Sequence, residues 1–208
     1  MKIRLILYGI AITALLSCHQ SPVIKTPPCC GKDGAAKTMA PPPAAGNISV
    51  YQLTGTWTDQ HEKKLTLSKL QGHPQIVAMI FTQCSSVCPR IVEEMKAIRD
   101  SLPAAVKNQV GGVLVSFDPG RDTPAQLRQF AAQRQLDDQW ELLQGSADRV
   151  RELSMALNVR YQKLSGGDYS HSSNIYILDQ TGNIVLSVDA LSGSIHHADS
   201  VLTRLVRK

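Results

Sequence analysis

Residues 81–90 read FTQCSSVCPR and hold two thiols, Cys84 and Cys88, with three residues between them and a proline closing the run. Side chains four residues apart point the same way on a helical turn, with Cα atoms about 6 Å apart. That separation lies inside the range a disulfide tolerates. It also lets both sulfurs reach one ion, and thiolates are soft ligands that suit Cu(I), Zn(II) or iron–sulfur clusters. The chemistries open here are a structural disulfide, a metal-binding pair and a redox couple. Spacing alone does not choose between metal and redox.

Thiols are useful only where elements hold them. The apolar run QIVAMIF precedes the pair and is too short for a helix, so it is predicted as a buried strand. PRIVEEMKAIRDSL follows, with Pro89 at a favoured first-turn position and Ile91, Met95, Ile98 and Leu102 on one helix face. A helix N-terminus stabilises thiolate and lowers its pKa, which serves metal binding and electron exchange equally. Thiols at a strand end, opening a helix, are poor candidates for core filling. Before them, TGTWTDQHEKKLTLSKLQG predicts a hairpin turning at DQHE, with KLTLS as second strand and a short helical turn after it. After them come a strand in VGGVLVSF, a helix in PAQLRQFAAQRQL, a short strand in WELLQG and a helix in SADRVRELSMALNV. NIYILD and NIVLSVD form a second hairpin across QTG, and SIHHADSVLTRLVRK closes the chain as a helix. The order is α/β: a central mixed sheet flanked by helices, with an N-terminal hairpin. Paired thiols after the first central strand make it similar to the thioredoxin-like order.

The remaining sequence bounds location and partners. The chain has 208 residues, 43% hydrophobic and 19% charged, enough for one well-packed domain plus extensions. Its net charge is +5, but Lys2 and Arg4 belong to a leader, and without them 20 basic residues face 17 acidic ones. With 5% aromatics and no long run of like charge, nothing points to nucleic acid. MKIR followed by LILYGIAITALL reads as a signal segment, because twelve residues span only about 18 Å as a helix. LLSC resembles a lipobox, so residues 1–17 are expected to be a lipoprotein signal peptide and Cys18 the lipid-modified mature N-terminus. The expected location is the bacterial cell envelope, facing the periplasm and lipid-anchored to a membrane, inner or outer. Residues 18–49, rich in Pro and Ala, are expected to be a flexible tether, with the domain at 50–208. The adjacent Cys29 and Cys30 sit in that tether, either as exposed thiols or as a copper-handling or redox arm.

Three segments in order resemble the Sco/SenC family of copper chaperones. The first supplies Thr82, Cys84, Cys88 and Pro89; the second, VSFDPGRDTP, supplies Ser116, Asp118, Pro119, Asp122, Thr123 and Pro124. The third, GGDYSHSSNIYILDQTGNI, carries His171 ahead of Tyr176, Asp179 and Gly182. The resemblance implies a thioredoxin fold that binds one copper ion, Cu(I) or Cu(II), through Cys84, Cys88 and His171. It further implies service to the CuA centre of cytochrome c oxidase, with a CuA-bearing oxidase subunit II or similar copper receiver as partner and an unnamed copper donor. Two thiolates suffice for Cu(I), whereas Cu(II) prefers added nitrogen. A Cys84–Cys88 disulfide would switch binding off, since the ligands must be reduced.

The other candidates read more plainly. His61 is a turn residue, His73 a loop residue, and His196 and His197 are expected in the first turn of the last helix. Asp118 and Asp122 could serve as outer-shell acids or orient the cysteine loop; for Asp122 a cap on the helix opened by Thr123 and Pro124 is expected instead, and Asp118 is left open. Ser85, Ser86 and Ile80 depart from the family pattern and bear on affinity and potential rather than on ligand identity. Alternatives to the metallochaperone are a thiol–disulfide oxidoreductase acting on a CuA-type receiver, and a copper or redox sensor. Structural zinc usually takes four protein ligands, one more than the family motif supplies.

Overall fold

A computed structural model describes residues 49–192 and 197–207. Its centre is a five-stranded mixed sheet. β3 (Gln75–Ile80), β4 (Gly111–Ser116) and β5 (Trp140–Leu143) run parallel, and β8 (Asn174–Leu178) and β9 (Ile184–Asp189) pair antiparallel beside them, in the order β5-β4-β3-β8-β9. Parallel strands need long crossovers, and helices supply them here. α1 (Val87–Asp100) and the brief α2 (Ala104–Lys107) join β3 to β4; α3 (Pro124–Gln133) joins β4 to β5; α4 (Ala147–Ala156) follows β5; α5 (Ala198–Val206) ends the chain. Every residue of β3 is buried, as expected for a central strand covered on both faces.

The predicted α1 face is the one that packs: Ile91, Met95, Ile98 and Leu102 are at most 5% exposed. α1 starts at Val87, two residues ahead of Pro89, which still falls in the first turn, where a missing N–H costs nothing. β3 and β4 are joined in register from Gln75↔Gly111 to Ile80↔Ser116, so their C-terminal ends lie side by side. The loops after both strands therefore emerge at one edge of the sheet.

The N-terminal hairpin is present but reduced. Its strands are only β1 (Trp57–Thr58) and β2 (Lys64–Leu65), and the rest of KLTLS turns into a 3-10 segment at Leu67–Leu70. Asp59 closes the DQHE turn by accepting from the amides of His61 and Lys63, each at 2.8 Å. Gly182 in the QTG turn has φ 86°, and a Cβ there would meet the Tyr51 ring at 2.5 Å, so the turn needs glycine on both counts. Corrections concern the ends. His197 is the residue before α5 rather than part of its first turn, and His196 lies outside the described residues. A further hairpin, β6 (Tyr161–Lys163) with β7 (Tyr169–His171), was not foreseen and forms a two-stranded sheet of its own.

Candidate metal centre

The sheet edge where β3 and β4 end carries the two cysteines. Cys84 sits in the loop after β3, its amide bonded to the Phe81 carbonyl at 3.3 Å, and Cys88 is the second residue of α1. The Cys88 amide donates to the Cys84 sulfur at 3.3 Å, so an otherwise unpaired N–H of the helix start faces that sulfur. Contrary to the expectation for thiols opening a helix, both are buried: Cys84 is 8% exposed and Cys88 0%. Both belong to one buried cluster with Phe81 and Phe117, and α1 lies against β3 and β8. Ser85 and Ser86 face solvent, with the Ser86 hydroxyl 4.0 Å from the Cys84 sulfur.

The imidazole arrives from 83 residues further along. His171 ends β7, and its Nε2 lies 3.5 Å from the Cys88 sulfur. Its other nitrogen, Nδ1, is 2.8 Å from the Ser172 carbonyl, which can only accept. With Nδ1 engaged by that carbonyl, the ring presents Nε2 to the sulfurs, the usual arrangement when a backbone carbonyl orients a ligating histidine. The three donor atoms lie within 4.8 Å of one another. Donors about 2.0–2.3 Å from one shared ion stand about 3.5–4.5 Å apart, so the set fits a single soft ion with small adjustments. Among the described residues this is the one such cluster.

The sulfurs are electrostatically unequal. The Cys84 thiol is pulled down from 9.0 to about 4, first by a hydrogen bond with Cys88, against the opposing effect of burial, with help from the amides of Cys88 and Ser86 and from His171. The Cys88 thiol is pushed up by that same bond and then by burial. At neutral pH the pair holds one proton, kept by Cys88, and one negative charge, centred on Cys84.

Asp122, expected as a helix cap, and Asp118, left open by the sequence, organise the surroundings. Asp122 is not the cap of α3; Thr123 is, its hydroxyl accepting from the Gln126 amide. The fully buried Asp122 carboxylate instead accepts from the Thr82 amide at 3.0 Å, the Thr82 hydroxyl at 2.6 Å and the Ser116 hydroxyl at 2.5 Å. It thus staples the cysteine loop to the end of β4. Burial pushes its pKa up, against those three bonds. Asp118 pairs with Arg121. The aromatic wall around the site also went unread: Phe81 and Phe117 touch each other, Tyr169 and His171, and Tyr161 stacks on Phe117 at 5.3 Å. The signal available was Tyr161 and Tyr169 flanking Gly166 and Gly167, a short hairpin pattern. His61 and His73 are exposed and take no part. Cys18, Cys29 and Cys30 lie outside the described residues.

Comparisons with known proteins agree with this geometry. The SCO1/SenC family profile matches residues 49–206. A Stutzerimonas stutzeri protein, provisionally named as copper-binding, is 31% identical over 130 residues, which cover 61% of this chain and 63% of that protein, a little under two thirds of its length. A Bacillus subtilis SCO1 protein homolog is 30% identical over 134 residues, 62% of this chain and 69% of the relative. Among solved structures, Bradyrhizobium japonicum ScoI with copper bound superposes with a TM-score of 0.62 at 27% identity, over 72% of this chain and 96% of ScoI. BsSco, a member of the Sco family of cytochrome c oxidase assembly proteins described with a disulfide switch, gives 0.65 at 26% identity, over 76% and 92%. A profile match running from the first described residue to the end of α5, over a thioredoxin-like core with its dithiol at the strand end, leaves one conclusion: the chain belongs to the SCO1/SenC family.

Proposed function

We propose that this protein is a copper metallochaperone whose cargo is held by Cys84, Cys88 and His171 and passed to a CuA-type receiver such as subunit II of cytochrome c oxidase. The observation that carries the reading is the convergence of two sulfurs and one imidazole nitrogen within 4.8 Å of one another, with His171 Nε2 3.5 Å from the Cys88 sulfur. Two thiolates bind Cu(I), and the added nitrogen extends the set to Cu(II), so one site accommodates either state. Relatives named for copper, and one solved with it, support the cargo. Zinc is a poorer fit, because a closed structural site wants a fourth protein ligand. The test is a transfer assay. Reduced domain loaded with one copper is mixed with an apo CuA domain, following metal and thiols together. Transfer without loss of receiver thiols supports delivery.

The difference between the thiols favours a second reading, a thiol–disulfide oxidoreductase that prepares the receiver. Cys84, at the rim with thiolate character, would attack a receiver disulfide, and buried Cys88 would displace the receiver from the mixed disulfide. Two electrons pass to the receiver, which leaves with one thiol, formed with the Cys88 proton, and one thiolate that water protonates, and Cys84–Cys88 becomes the disulfide. In this reading His171→Ala keeps disulfide reduction, whereas Cys84→Ser and Cys88→Ser lose it.

The location belongs to the same proposal. The LLSC segment supports lipid attachment at Cys18, with residues 18–49 as tether and the copper domain in the periplasm. Cys18→Ser should abolish lipid labelling and release the protein from membranes; continued labelling would remove the anchor.

A further inference from the structure

The hairpin β6–β7 must stay closed for His171 to remain beside the sulfurs, yet it belongs to no other sheet. Its tip, residues 164–168, is bonded internally through Leu164 N to Asp168 O and Gly167 N to Leu164 O. Among the described residues, one side chain from outside the hairpin donates a hydrogen bond to this tip. Arg121, in the loop between β4 and α3, donates from Nη2 to the Gly167 carbonyl at 2.5 Å. Its Nη1 donates to the Gln83 side-chain oxygen at 3.2 Å, one residue before Cys84, and its Nε donates to the buried Asp118 carboxylate. The guanidinium carbon also lies 5.7 Å from the Tyr169 ring centre and 5.9 Å from that of Phe81. A single rigid fork thus touches the hairpin, the cysteine loop and the loop that follows β4. Only a guanidinium has donors enough, in fixed directions, to join three segments at once.

We infer that Arg121 is the positioning residue that clasps the His171 hairpin over the dithiol, and that it thereby sets how well the site keeps Cu(II) relative to Cu(I). It touches no donor atom and acts through His171. With the fork removed, the hairpin opens more often and the imidazole withdraws, while Cys84 and Cys88, held by the β3 loop and α1, stay in place. The two-thiolate set that suffices for Cu(I) survives, and the nitrogen that Cu(II) prefers is lost. The metal-binding half of this inference rests on the copper reading; the clasp itself does not.

The test uses Arg121→Ala, Arg121→Gln and Arg121→Lys in the reduced full-length protein. In the metal-free protein, amide hydrogen exchange at residues 161–171 should rise about tenfold in Arg121→Ala, the scale of one charge-assisted hydrogen bond, with β3 and β4 unchanged. With Cu(II) added, the thiolate charge-transfer band should shift and the nitrogen hyperfine coupling weaken. Cu(II) loss should quicken about tenfold, while Cu(I) affinity stays within about threefold. Arg121→Lys retains the charge without the fork and should resemble Arg121→Ala. Full rescue by lysine would mean that charge alone matters and would overturn the clasp, as would wild-type hairpin exchange in Arg121→Ala. Arg121→Gln keeps the aliphatic stem and carries the same expectations if the alanine variant does not fold. A wild-type protein that fails to bind copper would sink the copper reading, and the metal-free exchange would still decide the clasp.

Discussion

Cys84 and Cys88 face different donors, and their titration follows from that. In the unfolded chain both thiols titrate near the ordinary value of 9.0, whereas the folded pair loses its first proton at about 4 and keeps the second beyond 9.0. Between those limits the folded state binds one proton fewer than the unfolded, so stability of the reduced, metal-free domain should rise with pH from about 4 to 9. Above pH 9 the sign reverses, because the unfolded chain gives up the proton that folded Cys88 retains. Denaturant midpoints across pH check this, and a flat profile would contradict the shared proton. Mass-resolved alkylation is the second check: Cys84 should react at pH 6 while Cys88 does not. His171 is the other residue with a separable role. Replacing it with alanine should weaken Cu(II) by at least about 100-fold, since even the loss of an outer-shell partner costs 10–100-fold, and should leave Cu(I) far less affected. Competition titrations in both oxidation states measure this; equal losses would refute the division of labour.

The staple and the cap adjoin in sequence and separate cleanly by experiment. Asp122 joins the loop after β3 to the end of β4 through three hydrogen bonds in a fully buried place. Asp122→Ala strands those donors and should cost about 3 kcal/mol in urea unfolding, with copper retention impaired because Thr82 lies two residues before Cys84. Thr123→Ala removes only the cap of α3 and should cost about 1 kcal/mol with copper binding unchanged. The hairpin β6–β7, which carries His171, had no readable alternation. Each of its strands has three residues, below the four to eight over which alternation becomes readable. What holds it lies elsewhere in the chain: Phe81 and Phe117 under its rings, and Arg121 across its tip.

At the level of the molecule, the sheet does the assembling. Joining β3 to β4 in register puts the FTQC and SFDPGRD loops side by side, and β8, antiparallel to β3, starts at the same edge where His171 and Ser172 enter. The three donors of this centre all come from the described residues. A chain beginning at residue 49 should therefore fold and bind copper like the full-length protein, and should transfer it to a soluble receiver at an equal rate. Markedly weaker binding by the shortened chain would assign Cys29 and Cys30 a part in the cargo site.

The five strands of the central sheet, helices α1, α3, α4 and α5, and the α1 core face were legible from the chain because they rest on local periodicity, and the two thiols because a four-residue spacing is itself geometry. The family motif named His171 without placing it. No local pattern showed that Cys88 would be wholly buried or that Arg121 would bridge three loops, or decided between the helix cap and the cysteine loop for Asp122. Those facts depend on which strand ends become neighbours, and that is set when the whole sheet closes over its core rather than by any one segment.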